Sequence, residues 1–375
     1  MTTLYLIRHA EAEGNIYRRA HGHYNSMLTP NGKKQLEKLS DWAKNCRIDA
    51  VYASDLNRTM HTAMAVADVH GLDVLPRPDL REISLGEWED LPWGRISVQN
   101  RETLRSFNSN TDFCIPGGET YAQASGRFNA SIECIVASHP CQTVAVVAHG
   151  CVIKYFLDRI SSEPIPHLDN ASVSCAEYDE GKYIMKFFNK NNHLGNLSTF
   201  SKQTWWKATG NRDLELWFDP LRLPGQEDAA AEYGLACWHS VYGTSEGFDR
   251  ECFLANCRES LRESERGVQF VKDENKIVGF LQIRPSGVLS SWDSHIGMFY
   301  LDEAFQGKGI GVQLAGEAVS LAREMGKAGL TLRVWHKNQR AVRFYESVGF
   351  TGTGRESGTH GDLLQMRLDI SMPEL

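Results

Sequence analysis

The chain has 375 residues, of which 42% are hydrophobic and 23% are charged, and its net charge is −7. This length predicts two domains of roughly 100–200 residues each, and the apolar content excludes a disordered or collagen-like chain. No run approaches the roughly 18 consecutive apolar residues that a membrane-spanning helix needs. The N-terminus lacks a basic segment and reaches Arg8, His9 and Glu11 at once, which argues against a secretory signal peptide.

Charge and cysteine content limit the kinds of molecule that the chain is expected to bind. There are 21 basic against 23 acidic residues up to residue 203 and 19 against 24 beyond it, so neither part has the basic bias of a nucleic-acid binder. The 9 cysteines form no CxxC pair, which favours free thiols in a reducing cytoplasm. His21 and His23 have no acidic or cysteine partner at metal-ligand spacing. We therefore expect a soluble cytoplasmic protein that binds no metal, membrane or nucleic acid.

The first part of the chain alternates short apolar runs with amphipathic segments. Bounded apolar runs predict strands at 4–7, 50–53 and 143–148. Apolar residues at three- and four-residue spacing predict helices over 30–44 and 58–71, the second one ended by Gly71. A predicted hairpin around residues 179–182 closes this part. Alternating strands and helices are typical of an α/β domain with a mostly parallel sheet.

The pattern breaks at about residues 190–212, in a polar stretch rich in Gly and Asn. This break predicts one domain at 1–203 and a second at 204–375. The elements predicted in the second domain are a strand at 214–218, two helices within 227–264, strands at 270–274, 276–284 and 295–301, a helix from Gly309, a strand at 330–335, a helix at 339–348 and a closing β segment. The sequence has no internal repeat, so two unrelated α/β modules are joined.

Charged and histidine side chains follow the ends of the predicted strands in the first domain. Arg8 and His9 end the first strand, Arg58 begins the helix after the second, and His149 follows the strand at 143–148. Glu82 lies in the segment LREI. Since ligands bind beyond the carboxyl ends of parallel strands, we expect these five side chains to converge on one crevice. A hydrogen-bonded core histidine is the alternative interpretation of His149 alone.

This set of side chains suits phosphoryl transfer. Arginine binds phosphate oxygens bidentately, and a neutral imidazole can attack phosphorus to form a phosphohistidine. A carboxylic acid held protonated by its surroundings can protonate the departing alkoxide. Because arginines and the second histidine neutralise the developing charge, the chemistry needs no metal.

Six segments resemble the histidine phosphatase (phosphoglycerate mutase-like) superfamily in order and spacing: RHAEAEGN, LTPNGKKQ, SDLNRTMHTA, LREISLGEWED, PGGETY and VAHGCVIK. The resemblance covers residues 1 to about 200 and implies a three-layer α/β/α domain. It implies that His9 is the nucleophile and Glu82 the proton donor. The residues that it assigns to phosphate and substrate binding are Arg8, Arg58 and His149 in the phosphate pocket, Asn15 at its rim, and Arg18 and His21 facing the substrate. Ala10 stands where the family usually has Gly.

Mutases and phosphatases differ within that superfamily. Mutases carry a longer insertion and a Tyr- and Gly-rich segment after the acid glutamate, which holds a second phosphate. Here Glu82 is followed by ISLGEWEDLPWGRI and soon by PGGE, without added basic groups. The sequence therefore favours a phosphatase over a phosphoglycerate-mutase-type phosphotransferase.

A glycine-rich loop precedes a predicted helix in the second domain. Its residues are Gln306, Gly307, Lys308, Gly309, Ile310 and Gly311. Backbone amides at a helix N-terminus bind anions such as a pyrophosphate, whereas a turn that only tightens packing is the alternative. The loop is neither a Rossmann fingerprint nor a P-loop.

Downstream, residues 338–350 carry the pattern NxxAxxxYxxxGF. Together with QGKGIG it resembles the GNAT acetyltransferase superfamily over about residues 213–370, which implies a mixed-sheet α+β domain that uses acetyl-CoA. The amides of 306–311 would then cradle the pyrophosphate, and the pantetheine would lie along 296–301, a strand that contains Phe299 and Leu301. Tyr345 would protonate the departing thiolate, and Asn338 would hydrogen-bond the cofactor. A core aromatic is the alternative for Tyr345.

The sequence marks no general base for acetyl transfer. Glu303, His295 and His336 are near the expected cleft in the sequence, but no motif selects among them. We expect a bifunctional enzyme with a small phosphomonoester and an amine as substrates. A phosphoprotein phosphatase with an acetyltransferase that modifies proteins, or with a domain that only senses acetyl-CoA, is the competing hypothesis.

Overall fold

The structure is a computed structural model that describes residues 1–200, 213–286, 288–358 and 360–372. These residues divide into two compact units, one formed by 1–91 and 99–200 and the other by 92–98 and the described residues from 213 onwards. Residues 92–98 thus belong to the second unit. The predicted domain boundary at 203–204 lies outside the described residues.

The first unit is built on a six-stranded sheet. Its strands are β1 (Thr2–Arg8), β2 (Ala50–Ala53), β3 (Val74–Pro76), β4 (Thr143–Ala148), β5 (Val173–Asp179) and β6 (Lys182–Lys190). They lie in the order β3-β2-β4-β1-β5-β6, with β1 to β4 parallel and β5 and β6 antiparallel. The mostly parallel sheet and the closing hairpin are confirmed. In the register of β1 with β4, Arg8 lies opposite Ala148, so the residues that follow these two strands emerge side by side.

Helices pack on both faces of this sheet. The helices up to residue 200 are α1 (Glu13–Tyr17), α2 (Pro30–Ala43), α3 (Asn57–Ala67), α4 (Trp93–Gln99), α5 (Arg101–Ser109), α6 (Tyr121–Ser138) and α7 (Gly150–Ile160), of which α4 belongs to the second unit. Leu39 of α2 and Ala63 of α3 pack against one set of alternating strand residues, which includes Val147. Phe128 of α6 and Phe156 of α7 form a second contact, with ring centroids 6.3 Å apart. The predicted three-layer α/β/α arrangement is confirmed.

The second unit contains a seven-stranded mixed sheet. Its strands are β7 (Leu216–Pro220), β8 (Val268–Asp273), β9 (Lys276–Arg284), β10 (Asp293–Leu301), β11 (Gly329–Trp335), β12 (Thr351–Gly358) and β13 (Gly361–Asp369). The order is β12-β13-β11-β10-β9-β8-β7. β10 and β11 are parallel, and the other neighbours are antiparallel. This agrees with the mixed sheet that the sequence predicts.

The helices of the second unit are α8 (Glu227–Tyr242), α9 (Arg250–Glu263), α10 (Gly311–Glu324) and α11 (Gln339–Val348). The sequence predicts that the third of these begins at Gly309, but it begins two residues later. The reason is the backbone of Gly307 and Gly309, since each has φ +75°, a left-handed conformation that an α-helix excludes. None of the described helices is long and apolar enough to cross a bilayer.

A gap opens between β10 and β11 partway along their length. β10 pairs with β11 only from Asp293 to Ile296, whereas its pairing with β9 continues to Leu301 after a register shift at Gly297. This shift is a β-bulge, which bends a strand away from its neighbour. On the side facing β11, the strand from Gly297 to Leu301 therefore has no strand partner among the described residues.

Candidate active sites

The two histidines predicted at strand ends lie together in the first unit. His9 follows β1 and His149 follows β4, and their rings meet edge to face with centroids 5.3 Å apart. Both are buried, at 6% and 0% exposure. The parallel register of the two strands produces this pairing from residues 140 positions apart in the sequence.

Hydrogen bonding fixes the tautomer of His9. Its Nδ1 lies 2.7 Å from the carbonyl oxygen of Ala10. A carbonyl only accepts, so Nδ1 carries the proton and Nε2 keeps its lone pair. Burial, together with the positive charges of Arg58 and Arg8, lowers the pKa of His9 well below its ordinary value. The imidazole is therefore neutral at pH 7, with Nε2 as a nucleophilic nitrogen.

The position after His9 accommodates the alanine that departs from the family pattern. Ala10 is fully buried against Ala171 and Leu194, and its φ is not in the left-handed region. Its amide donates to Thr62 Oγ1 at 3.0 Å. Glycine is therefore not required here.

His149 has one partnered ring nitrogen and one orphaned nitrogen. Its Nε2 lies 2.9 Å from Ser54 Oγ, and its buried Nδ1 has no hydrogen-bond partner among the described residues. Burial and the nearby Arg58 charge lower its pKa well below the ordinary value. The hydrogen bond to Ser54 agrees with the alternative of a core histidine whose ring nitrogens are both hydrogen-bonded. The Nδ1 atom without a partner does not agree with that alternative.

Two arginines lie at the same edge of the sheet. Arg58 is 2% exposed, and its two terminal nitrogens donate to the carbonyls of Tyr24 and Gly22 at 2.9 and 2.8 Å. Burial lowers its pKa to about 10, so it stays charged at pH 7. Arg8 donates through Nη1 to the carbonyl of Leu168, while its buried Nε has no partner in the described part of the chain. That Nε is a second buried polar atom, after His149 Nδ1, without a hydrogen-bond partner among the described residues.

Glu82 lies at the N-terminus of α7. Its Oε1 accepts from the amides of Ile83 and Val152 at 3.0 and 3.1 Å, and its Oε2 accepts from the amide of Cys151 at 2.9 Å. Three N–H donors and the positive end of the helix dipole suit a negative charge. These contacts fix the orientation of the carboxyl group beside the N-terminus of α7.

The predicted rim residues lie on and after the short helix α1. Asn15 Oδ1 accepts from the amide of Ala12 and from Asn170 Nδ2, which ties it to the His9 loop. Arg18 adopts φ +55° at the C-terminus of α1. His21 Nε2 lies 3.3 Å from Asp90 Oδ1, and burial lowers its pKa.

Sequence reasoning missed two buried residues of this site. Ser54 partners His149, and Asn170 donates from Nδ2 to the carbonyl of His9 at 3.1 Å. The only sequence signal is their place next to strands, Ser54 directly after β2 and Asn170 shortly before β5. No group of three His, Cys, Asp or Glu side chains among the described residues has the arrangement of a metal site.

The glycine-rich loop of the second unit leads into α10. Gly307 and Gly309 have φ +75°, and the amides from 307 to 311 have no backbone acceptor among the described residues. Gln306 differs, because its amide donates to the carbonyls of Asp302 and Glu303. The predicted amide cradle therefore begins at 307 and not at 306. The Lys308 ammonium lies 5.4 Å from the Phe305 ring centroid.

A cleft of about 580 Å³ lies where β10 and β11 separate. Phe299, Asn338 and Tyr345 are among the residues that line it, whereas the Leu301 side chain is buried elsewhere. Asn338 Oδ1 accepts from the amide of Ala341 at 3.1 Å, so this residue caps α11. Burial raises the pKa of Tyr345 above its ordinary value, which keeps its phenol protonated.

Of the three histidine and glutamate candidates for a base, only His295 lines this cleft. Its Nδ1 lies 3.0 Å from Thr331 Oγ1, and that hydroxyl lies 3.1 Å from the carbonyl of Ser294. Since the hydroxyl donates to the carbonyl, it accepts from Nδ1–H, and Nε2 is left unprotonated. Burial and the charges of Arg333 and Arg284 lower the pKa of His295 to about 4. Glu303 lies at a different surface depression.

Comparison with known proteins identifies a family for each part of the chain. Residues 4–191 match the histidine phosphatase superfamily (branch 1), and residues 230–350 match the acetyltransferase (GNAT) family. The chain is 31% identical over 190 residues to the probable phosphoglycerate mutase GpmB of Enterobacter sp. (strain 638), across 49% of this chain and 88% of that protein. It is 32% identical over 196 residues to phosphoglycerate mutase-like protein 4 of Arabidopsis thaliana, across 50% and 85%.

A solved structure, Bacillus stearothermophilus YhfR, is similar to the first unit. It has a TM-score of 0.50 and 27% identity, and the alignment covers 52% of this chain and 100% of that one. Both matched families consist of enzymes. The chain belongs to the histidine phosphatase superfamily, and a GNAT acetyltransferase domain follows its phosphatase domain.

Proposed function

We propose that the first domain is a phosphomonoesterase that works through a phosphohistidine. The neutral His9, with Nε2 unprotonated beside two arginines, carries this proposal. Nε2 attacks phosphorus and forms an N–P bond while the P–O bond to the leaving group breaks. Water then attacks the phosphohistidine, the N–P bond breaks, and inorganic phosphate leaves.

Three side chains would stabilise the transferring phosphoryl group. The orphaned Arg8 Nε and the remaining donors of Arg58 offer N–H groups to its oxygens. If the Ser54 hydroxyl donates to Nε2 of His149, its orphaned Nδ1 carries a proton and is a third donor. These donors are fixed before substrate binds, so little reorganisation is needed, and cationic side chains perform the role that a metal has in other phosphatases.

Glu82 would protonate the departing oxygen. Three backbone amides hold its carboxyl group in place, and the proton that it passes on comes from the phosphate monoester, whose monoanion still carries one. A bound phosphate brings negative charge beside Glu82, and a like charge favours the protonated carboxyl. In the second step the same carboxylate takes a proton from the attacking water.

A phosphoglycerate-mutase-type phosphotransferase is the alternative, favoured by the names of the curated relatives. A mutase needs cations for a second phosphate. The segment after Glu82 has no Lys or Arg before Arg95, and Arg127 is occupied by Glu119 and by backbone carbonyls. Activation by 2,3-bisphosphoglycerate with exchange between phosphoglycerates would support the mutase, whereas release of inorganic phosphate supports the phosphatase.

Trapping the intermediate tests the phosphatase. The full chain, mixed with a radiolabelled phosphomonoester and quenched in alkali, should retain label that acid removes, since phosphohistidine is acid-labile. His9→Ala should lose the label and lower activity by several orders of magnitude. EDTA should leave the activity intact, and reactivation of a chelated, inactive enzyme by a divalent metal would contradict the mechanism.

For the second domain we propose acetyl-CoA-dependent N-acetyl transfer to an amine. Acetyl-CoA supplies an activated acetyl thioester. The amides of 307–311 would hold its pyrophosphate, and the backbone of 297–301, which lacks a strand partner on the β11 side, would bind its pantetheine arm. The protonated phenol of Tyr345 would donate to the departing thiolate, and Nε2 of His295 would accept a hydrogen bond from the amine and orient its lone pair toward the thioester.

Calorimetry with acetyl-CoA tests this assignment on the full chain. Binding near one equivalent is expected, together with amine-dependent release of free CoA. Binding without transfer to any amine in a broad panel would instead favour an acetyl-CoA-sensing domain. We propose that both substrates are small cytoplasmic metabolites, and one hypothesis is a single molecule that bears a phosphate ester and an amine. A phosphoprotein and a protein amine are the competing substrates, which assays on peptides would distinguish.

A further inference from the structure

Arg284 lines the cleft of the second domain without an acidic partner. It is the last residue of β9, and its Nη2 donates to Asn256 Oδ1 of α9 at 2.6 Å. No carboxylate among the described residues pairs with it. The neighbouring Arg333 differs, because its Nε lies 2.8 Å from Glu356 Oε1.

The position of Arg284 assigns it to the amine side of the cleft. It lies directly opposite His295 in the β9–β10 register, so the two side chains share one face of the sheet. His295 precedes the Gly297 bulge, whereas the strand that would bind pantetheine follows it. The five residues from Gly297 to Leu301, which are four residue steps, span about 13 Å at a strand rise of ~3.3 Å, and the 307–311 loop lies beyond them. The cofactor therefore approaches the Gly297 bulge from the Leu301 end of the strand, and Arg284 lies on the other side of the bulge.

The surroundings of Arg284 leave its charge to be satisfied by a ligand. Aromatic side chains form much of the wall of the cleft: Trp238, Tyr242, Phe248, Phe253 and Trp335. The acidic residue that lines it, Asp249, caps α9 by accepting from the amide of Cys252 at 3.0 Å. The half-buried Arg284 guanidinium donates to the neutral side-chain amide of Asn256, so most of its N–H groups remain available to a ligand. Its planar, forked arrangement of N–H groups fits a carboxylate.

We infer that the acetyl acceptor carries a carboxylate near its amine, as an amino acid does, and that Arg284 binds this carboxylate. Asn256 orients the guanidinium for it. The apolar part of the acceptor packs on the aromatic wall, and its amine lies between the bulge and Nε2 of His295. This inference rests on the proposed acetyltransferase function and names the class of its acceptor.

Matched acceptors test the carboxylate. The full chain is assayed for CoA release with the twenty common amino acids and with their C-terminal amides, at a fixed concentration of acetyl-CoA. Amides have less basic amines, so chemistry alone favours them at pH 7. The best amino acid should nevertheless exceed its amide in kcat/KM by roughly 10–100-fold, the range for a hydrogen-bonded charged pair. The aminophosphonate analogue of the best amino acid is assayed as well. Its kcat/KM relative to that of the amino acid distinguishes a site for carboxylates from a site for phosphate-like anions.

Arg284→Met should bring that ratio close to one and leave acetyl-CoA affinity unchanged. The matched control is Arg250→Met, because Arg250 pairs with Asp228 and Glu251 outside the cleft and its loss should leave the ratio at the parental value. Equal or faster acetylation of the amides, a ratio that survives Arg284→Met, a preference for the phosphonate, or failure of every amino acid would each overturn the inference. Transfer to amides in the parent would still leave the acetyltransferase function standing, whereas absence of acetyl-CoA binding would overturn that function itself.

Discussion

Replacing Glu82 by Gln should separate substrates by their leaving groups. General acid catalysis contributes ~10²–10⁴-fold where the leaving oxygen needs a proton, which corresponds to about 3–5 kcal/mol of transition-state stabilisation. An alkyl phosphate should therefore lose that factor in kcat/KM. p-Nitrophenyl phosphate, whose phenolate leaves unprotonated, should lose much less.

The same substitution has a structural cost that can be worked out from the contacts of Glu82. The amide oxygen of Gln can still accept from Ile83 and Val152, but its NH2 group would face the Cys151 N–H, donor against donor. One unsatisfied buried donor costs about 1–3 kcal/mol. Chemical denaturation of the variant should show a loss of this size, and it must be measured so that instability is not mistaken for lost catalysis.

The comparison must use kcat/KM for both substrates. Both esters form the same phosphohistidine, so a kcat limited by its hydrolysis would hide the leaving group, whereas kcat/KM reports the steps up to phosphorylation. Glu119→Gln is the matched control, since that carboxylate accepts from Ser84 N and Arg127, and it should affect both substrates alike. Equal losses of kcat/KM for the two esters in the Glu82 variant would refute the assignment of Glu82 as the proton donor.

The remaining predictions concern pH and the second domain. Burial and neighbouring arginines lower the folded-state pKa values of His9 and His149, so below the unfolded pKa of about 6.5 the unfolded state binds more protons and stability falls as pH falls. In chemical denaturation at a series of pH values, His149→Gln should lose less stability below pH of about 6.5 than the parent, and an unchanged pH dependence would contradict this. Gly311→Val should abolish acetyl-CoA binding in calorimetry but spare the phosphatase. A Cβ atom at position 311 would lie 3.3 Å from the Phe344 ring, so the larger valine side chain would displace the start of α10. An affinity equal to that of the parent would contradict this. Tyr345→Phe should keep the affinity for acetyl-CoA and lose CoA release, and unchanged turnover would remove Tyr345 from the mechanism.

Local patterns in the sequence determined most of the fold and the positions of the chemical groups. β4, whose residues from Val144 to Ala148 are all fully buried, is an uninterrupted apolar run, and α2 begins at Pro30 after a Thr29 cap. Each such signal lies within a few neighbouring residues, so the sequence alone reveals it. For the same reason the functional residues next to strand ends could be named, although the start of α10 could not, because the backbone angles of two glycines decided it.

Only the tertiary structure decided what each functional group contacts. Two of the three amides on Glu82 come from residues about 70 positions away, the partner of His149 is 95 positions away, and Asn170 reaches His9 across 161. No local pattern encodes these hydrogen bonds. Strand register brought them together in the first domain, and in the second it placed Arg284 opposite His295. Which strands pair, and in which register, depends on the whole sheet and its packed core. Local patterns in the sequence do not contain that information.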